Sequence, residues 1–305
     1  MDGFGSSRIA CFTSLGTGSA KIVNLNNRNL SPPWFTMNKF AKLQQILQDM
    51  RRVVVAYSGG VDSTFLLKVA VDTLGRDNVL AVTATSPTYP VSELKDAKAN
   101  AKKIGVRHII IATKELGDPR FAANPVNRCY YCKKELFKRL KAMAKKEDIA
   151  FVIDASNIDD LKDYRPGAKA KKELGVRSPL QEACFSKEDI RRYSRKLGLL
   201  TWDKPAMACL ASRLPYGEKI KTAKLRRIEA AEEFLQRLGF KQVRVRCHGD
   251  IARIEVESCK IKLLDKDKIR DRITHKLKKL GFTYVTLDLK GYRTGSLNEA
   301  IKQGW

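Results

Sequence analysis

Residues 53–74 read VVVAYSGGVDSTFLLKVAVDTL. The stretch opens with an apolar strand signal, VVVAY at 53–57, and closes with a helical apolar pattern, FLLKVAVDTL. Between them lies Ser58-Gly59-Gly60-Val61-Asp62-Ser63-Thr64. Two glycines let the backbone turn tightly and present successive N–H groups, and the helix that follows adds partial positive charge at its N-terminus, so the turn favours phosphate. Ser58, Ser63 and Thr64 add hydrogen-bond donors, and Asp62 is placed to hold Mg²⁺ or to orient the loop. The Walker A pattern is excluded, because no lysine follows the second glycine. Read by itself, the turn is also compatible with an ordinary strand-to-helix junction capped by Ser63.

The surrounding rhythm extends this unit into a domain. Phe40, Leu43, Ile46 and Leu47 predict a short amphipathic helix before the first strand. VLAVTAT at 79–85, a Lys- and Ala-rich helix at 91–104, HIIIAT at 108–113 and AFVIDAS at 150–156 then alternate strand with helix. That alternation predicts an α/β fold, a parallel sheet covered by helices on both faces. Beyond Pro215 and Gly217 the order becomes helix, strand, strand, helix, strand, which predicts a smaller α+β domain. It contains an internal echo: FLQRLGFKQVRVRCHGD at 234–250 and HKLKKLGFTYVTLDLKG at 275–291 share Leu-Gly-Phe-x-x-Val, with Leu238 and Leu280 spaced 42 positions apart. The expected organisation is residues 37–216 as the nucleotide domain and 217–305 as a substrate-binding or oligomerisation domain. Residues 1–36, rich in Gly, Ser and Asn without a period, read as a disordered leader or non-native extension, and Cys11 and Trp34 within them receive no role.

The chain has 305 residues, 43% hydrophobic and 30% charged, with no apolar run long enough for a membrane span. Its net charge of +26 points to anionic partners. The Lys-rich segments at 95–103, 138–146 and 276–279 lack aromatic interleaving and read as solvated helix faces, so a small anionic nucleotide is expected rather than nucleic acid. Seven irregularly spaced cysteines and no signal-peptide pattern predict a reducing, cytoplasmic setting without disulfides.

Three of those cysteines carry chemistry. Cys129-x-x-Cys132, at the start of an expected helix in NPVNRCYYCKKELF (124–137), has metal, redox and plain packing readings. Histidines at 108, 248 and 275 are too scattered to complete a zinc site. Cys209, within PAMACLASRLPY (205–216), is either buried filler or a reagent. Together the three suit a 4Fe-4S cluster with one iron open, although clusters are more often held by four cysteines. Cys184, Cys247 and Cys259 are assigned to packing or surface, and Trp202 to a core anchor.

Ser58-Gly59-Gly60-Val61-Asp62-Ser63 resembles the SGGxDS signature of the PP-loop (adenine nucleotide alpha hydrolase-like) ATP pyrophosphatases. NRCYYCKKELF (127–137), DYRPGAKAKKELGVRSPL (163–180), GLLTWDKPAMACLASRLPYGEKI (198–220) and GYRTGSLNE (291–299) are similar, in that order, to the LarE family of ATP-dependent sulfur transferases. The resemblance covers nearly everything from Met37 to Trp305. It implies ATP and Mg²⁺ at Ser58, Gly59, Gly60, Asp62, Ser63 and Thr64. It also implies adenylation of a carboxylate of pyridinium-3,5-biscarboxylic acid mononucleotide, followed by displacement of AMP by sulfur in nickel-pincer nucleotide cofactor biosynthesis. The sulfur would come from a 4Fe-4S cluster on Cys129, Cys132 and Cys209, the favoured chemistry, or from Cys209 itself, which would become dehydroalanine. A substrate with two carboxylates and a phosphate asks for arginines, and Arg213, Arg244, Arg246 and Arg293 are the candidates, with Glu255 as a partner or metal ligand. Asp154-Ala155-Ser156-Asn157 departs from the family pattern, which has Gly-Thr in the middle, so Ala155 brings a Cβ to where backbone would approach ATP. A homo-oligomer is expected. The competing readings are a PP-loop tRNA thiolase and a non-catalytic ATP- or redox-sensing module.

Overall fold

The computed structural model describes residues 38–162, 166–206, 208–293 and 295–299, so the leader expectation at 1–36 lies outside the described residues. An opening helix α1 (Lys39–Met50) leads into β1 (Val53–Ala56), the two-glycine turn and α2 (Val61–Leu74). Then follow β2 (Val79–Thr85), α3 (Val91–Ile104), β3 (Arg107–Ala112), a short α4 (Pro119–Ala122) and the long α5 (Arg128–Lys146). β4 (Phe151–Ile153) completes the sheet, and α6 (Gly167–Glu173), α7 (Pro179–Glu182) and α8 (Lys187–Lys196) pack around it.

The four strands run parallel in the order β3-β2-β1-β4. Alternation along β1 divides the core. Val53 and Val55 join Leu43 and Leu47 of α1, Phe65 and Leu66 of α2 and Ile190 of α8 on one face. On the other face Val54 joins Phe137, Leu140 and Ala144 of α5. Since β2 and β4 flank β1 on opposite sides, the strand order reverses beside β1, and the crevice at the carboxyl ends of the strands falls where its turn emerges.

The second sheet follows, built from α9 (Thr222–Arg237), β5 (Val243–His248), β6 (Ile251–Val256), α10 (Asp267–Lys279) and β7 (Tyr284–Leu287). β5 pairs antiparallel with β6, and β6 parallel with β7. The echo in the sequence has a physical basis here. Each basic helix ends at a leucine, Leu238 or Leu280, passes through a glycine at positive φ, Gly239 or Gly281, and buries a phenylalanine, Phe240 or Phe282. Phe121, Leu210, Ala211 and Leu214, which come before this segment in the chain, share its apolar cluster.

Three local expectations are corrected. β4 stops at Ile153 because the Asp154 carboxylate accepts from the Ser156 N–H and hydroxyl, turning the chain out of the sheet. α2 starts at Val61 rather than after Thr64, with Gly60 at its N-cap, so Asp62, Ser63 and Thr64 lie in its first turn. Trp202 is exposed rather than a core anchor, with the Arg195 guanidinium 5.0 Å above its ring. Among the described residues no helix is long and apolar enough to cross a membrane.

Gly59 is the position where a side chain is least tolerable. Its φ is +67°, and an added Cβ would stand 2.8 Å from Ala97 Cβ and 2.9 Å from Ala97 Cα on α3. We expect Gly59→Ala to cost about 2–4 kcal/mol from the left-handed backbone and the collision together. In a thermal melt the midpoint should fall by about 5–10 °C; a midpoint equal to that of the wild type would refute this account of the turn.

Candidate nucleotide and thiol site

The turn after β1 presents the donors expected of a phosphate cradle. Ser58 Oγ lies 3.0 Å from Ser63 Oγ, which accepts from the Ser58 N–H at 3.2 Å, so two side chains at opposite ends of the turn lock its shape. Gly60 gives no side-chain cap to α2, leaving the helix N-terminus available to an anion. Asp62 does not face an open cation position: both of its oxygens accept from Lys187 Nζ at 2.7 Å. Burial pushes the Asp62 carboxyl up, against the pull of Lys187. Mg²⁺ usually arrives on the phosphates and takes only one or two protein carboxylates, and here the carboxylate beside the turn is occupied by Lys187.

A second turn, residues 86–90 after β2, ties this cradle to Cys209. The Tyr89 hydroxyl donates to Ser58 O at 2.8 Å, and the Leu210 N–H donates to Thr88 O at 2.8 Å. Burial pushes the Tyr89 phenol up, so it stays a donor. Cys209, beside Leu210, is thus two hydrogen bonds away from the nucleotide turn. Cys129 and Cys132 stand in the first two turns of α5. Cys132 and Cys209 pack against the same apolar cluster, and the charged neighbours of Cys132 include Cys209, Glu115 and Cys129. The structure therefore brings the three predicted thiols into one neighbourhood.

They are not alike. Cys129 is exposed, while burial first, and then the Cys209 and Glu115 charges, push the Cys132 thiol up to about 12. Among the described residues no three Cys, His, Asp or Glu side chains are gathered closely enough to hold a metal ion.

The arginine candidates separate in the same way. Arg213, fully buried, makes a two-pronged pair with Glu232, at 2.9 and 2.8 Å. It also donates to Ala208 O at 2.6 Å and Cys209 O at 3.0 Å, so it braces the turn that carries the thiol. Arg246 pairs with the buried Glu255 at 2.9 Å through both prongs and donates to Ser212 O, which makes Glu255 its partner. Arg293 lies further out, held by Asp288 and Glu299. Arg244 differs. Only 4% exposed, it donates to Val243 O and Ala206 O and lies 5.3 Å from the Tyr292 ring centre. Among the described residues it has no carboxylate partner, and burial followed by the Arg213 charge pushes its guanidinium down to about 10.

Two residues escaped the sequence reading. Arg128, next to Cys129, is also 4% exposed, sits 4.8 Å from the Tyr216 ring centre, and leaves Nε and Nη1 without hydrogen-bond partners. In so basic a chain no single arginine stands out; its place directly before Cys129 was the available signal. Glu115 is buried beside the thiols with Oε2 unpartnered, and nothing in ATKELGD distinguishes it from a surface acid.

Residues 37–124 match the NAD synthase family. Over 264 residues, 87% of this chain and 98% of the relative, the sequence is 47% identical to an uncharacterized protein of Synechocystis sp.. Over 263 residues, 86% of this chain and 95% of the relative, it is 43% identical to the pyridinium-3,5-bisthiocarboxylic acid mononucleotide synthase of Lactiplantibacillus plantarum. An uncharacterized protein of Methanocaldococcus jannaschii is 30% identical over 261 residues, 85% of this chain and 98% of the relative.

Two outcomes test the site. Glu232→Ala strands a buried charge on Arg213 and should cost about 3–5 kcal/mol in urea unfolding. Arg244→Gln has no ion pair to lose and should stay within about 1 kcal/mol of the wild type, while phosphate ceases to raise the melting midpoint. For the thiols, at pH 8 the thiolate fraction of Cys132 is about a thousandfold below that of an ordinary thiol. Peptide mapping after iodoacetamide should therefore show Cys129 and Cys259 labelled well before Cys132, with Cys132 catching up only as pH climbs towards 12.

Proposed function

The chain belongs to the LarE family of pyridinium-3,5-bisthiocarboxylic acid mononucleotide synthases, ATP-using enzymes of the PP-loop pyrophosphatase type, and from that premise we propose that it is an ATP-dependent sulfurtransferase acting on pyridinium-3,5-biscarboxylic acid mononucleotide. The observation that carries the reading is the pair of hydrogen bonds, Tyr89 to Ser58 and Leu210 to Thr88, that holds Cys209 against the nucleotide turn.

The 58–64 turn and the α2 N-terminus would receive the phosphates of ATP, and Asp62 would help hold the Mg²⁺ that neutralises their charge. A ring carboxylate of the substrate attacks the α-phosphorus, and pyrophosphate leaves. The acyl adenylate that forms has AMP as a leaving group, which a free carboxylate lacks. The Cys209 thiolate then attacks the acyl carbon, a C–S bond forms, the acyl C–O bond breaks and AMP departs. Loss of the Cys209 α-proton with cleavage of Cβ–Sγ leaves the sulfur on the substrate as a thiocarboxylate and the residue as dehydroalanine.

The buried arginines set the substrate's register. Arg244 and Arg128, which have no carboxylate partners among the described residues, meet its phosphate or its second carboxylate. Arg213 and Arg246 hold the wall through Glu232 and Glu255. Cluster-borne sulfur is the second reading, favoured by the convergence of Cys129 and Cys132 on Cys209. We favour Cys209 as the departing sulfur on the hydrogen bonds that tie its loop to the nucleotide turn through residues 86–90.

The test is a single anaerobic incubation of the full chain with ATP, Mg²⁺ and the pyridinium substrate. AMP, pyrophosphate and thiocarboxylate should appear together, and the intact protein should become lighter by one H₂S, while Cys209→Ala still releases pyrophosphate and accumulates the acyl adenylate but forms no thiocarboxylate. Sustained turnover with unchanged protein mass would instead support the cluster. Absence of AMP with this substrate would sink the reading, and AMP formation that required RNA and fell steeply with salt would replace it with tRNA thiolation.

A further inference from the structure

Glu115 is a buried carboxylate for which the sequence gives no reason. It lies on the short turn Glu115–Gly117 after β3, only 4% exposed, and among the described residues it has no cationic partner. Carboxylates are rarely buried without one, because their hydration must be replaced by strong hydrogen bonds. Here one oxygen does that work: Oε1 accepts from the Thr88 hydroxyl at 3.0 Å and from the Ser86 hydroxyl. The other, Oε2, is buried and unpartnered.

The two donors belong to the turn that links the nucleotide cradle to Cys209. Ser86 Oγ also accepts from the Thr88 N–H at 3.1 Å, and the Tyr89 N–H donates to Ser86 O at 3.0 Å. Immediately beyond, the Thr88 carbonyl receives Leu210 and the Tyr89 hydroxyl reaches Ser58. One carboxylate therefore clamps the two side chains of a turn whose backbone touches the thiol loop on one side and whose tyrosine touches the phosphate turn on the other. A charged acceptor makes each of these bonds stronger than a neutral one would.

We propose that Glu115 is a positioning residue: by holding Ser86 and Thr88 it fixes the 86–90 turn, and through that turn the placement of Cys209 relative to bound ATP. The proposal rests on the assignment of sulfur transfer to Cys209, but its main consequence can be read without turnover. Loosening the turn should release the Cys209 loop and leave distant thiols alone.

Iodoacetamide labelling of Cys209, followed by peptide mass spectrometry with the exposed Cys259 as internal control, is the primary measurement on the full chain. Glu115→Ala should raise the Cys209 rate by about threefold or more, as local opening becomes easier, with Cys259 unchanged. Glu115→Gln, whose amide oxygen can still accept both hydroxyls, should return the rate to within about twofold of the wild type. If Glu115→Ala fails to fold, the double variant Ser86→Ala/Thr88→Val removes the same two bonds and should reproduce its effect. In a single-turnover reaction, Glu115→Ala should slow thiocarboxylate formation by about tenfold or more while the ATP concentration that gives the half-maximal rate stays put, since a misplaced reactant costs rate rather than nucleotide binding. Unchanged Cys209 labelling in Glu115→Ala and in the double variant would overturn the proposal. So would a parallel rise at Cys259, which signals general loosening, or a Glu115→Gln variant as impaired as Glu115→Ala, which would assign the residue's role to its charge. Should the wild type make no thiocarboxylate, the functional reading fails while the labelling comparison still decides the role of Glu115.

Discussion

A parallel strand that must deliver phosphates to a helix N-terminus has little room beside its exit, and here α3 takes up that room. Ala97 packs so close to the turn that only hydrogen fits at Gly59, whose backbone is left-handed in any case. The close approach has a purpose elsewhere in the fold. α3 follows directly on the 86–90 turn, so packing α3 against Gly59 brings Tyr89 within reach of Ser58 and Thr88 within reach of Leu210. The small side chains at Gly59 and Ala97 thus fix, through one helix, the distance between the nucleotide and the thiol. A larger residue at either position would displace both ends together.

The second constraint is electrostatic. Three guanidinium groups, Arg213, Arg244 and Arg246, are buried near one another, and the structure supplies them with two buried carboxylates, Glu232 and Glu255. Burying the third cation without a partner is unfavourable by several kcal/mol before relaxation. Backbone carbonyls and the Tyr292 face offset part of that cost. Under the proposed function the rest is offset by the substrate's phosphate or second carboxylate. The same reasoning applies to Arg128, with its two unpartnered nitrogens. A chain of net charge +26 could spread its cations over its surface, as the Lys-rich helices do, so burying some of them without partners is where the charge becomes specific.

How much of this the sequence revealed follows from the range of each interaction. The turn at 58–64 and the alternation around it are local patterns, and both the parallel sheet and the Leu-Gly-Phe echo could be read directly, because a glycine cap and a buried phenylalanine recur within a few residues of each other. The convergence of Cys209 with Cys132 was legible only through the resemblance of separate motifs, since they are 77 positions apart. Which arginine would lack a partner was not legible: Arg244 and Arg246 alternate on one strand, and Glu255, though opposite Arg244 in the β5–β6 register, pairs diagonally with Arg246. Trp202 was misread because an aromatic before Asp-Lys-Pro looks like an anchor, while an arginine from the preceding helix covers its ring in the open. Glu115 left no signal at all, because its partners are hydroxyls from another strand's turn.

The contrast between the two partly buried thiols bears on which sulfur can leave. A thiol held well above the ordinary range, as Cys132 is, remains protonated and nearly inert as a nucleophile, and the charges of Cys209 and Glu115 are among the causes. The effect has a direction: a Cys132 kept protonated is a poor nucleophile beside Cys209. On the far side Arg213 holds the Cys209 carbonyl and anchors the turn to Glu232, so the backbone cannot swing the sulfur away. One thiol is kept protonated and the other is fixed in place. Under the proposed transfer from Cys209, that asymmetry leaves Cys132 next to the donor without replacing it.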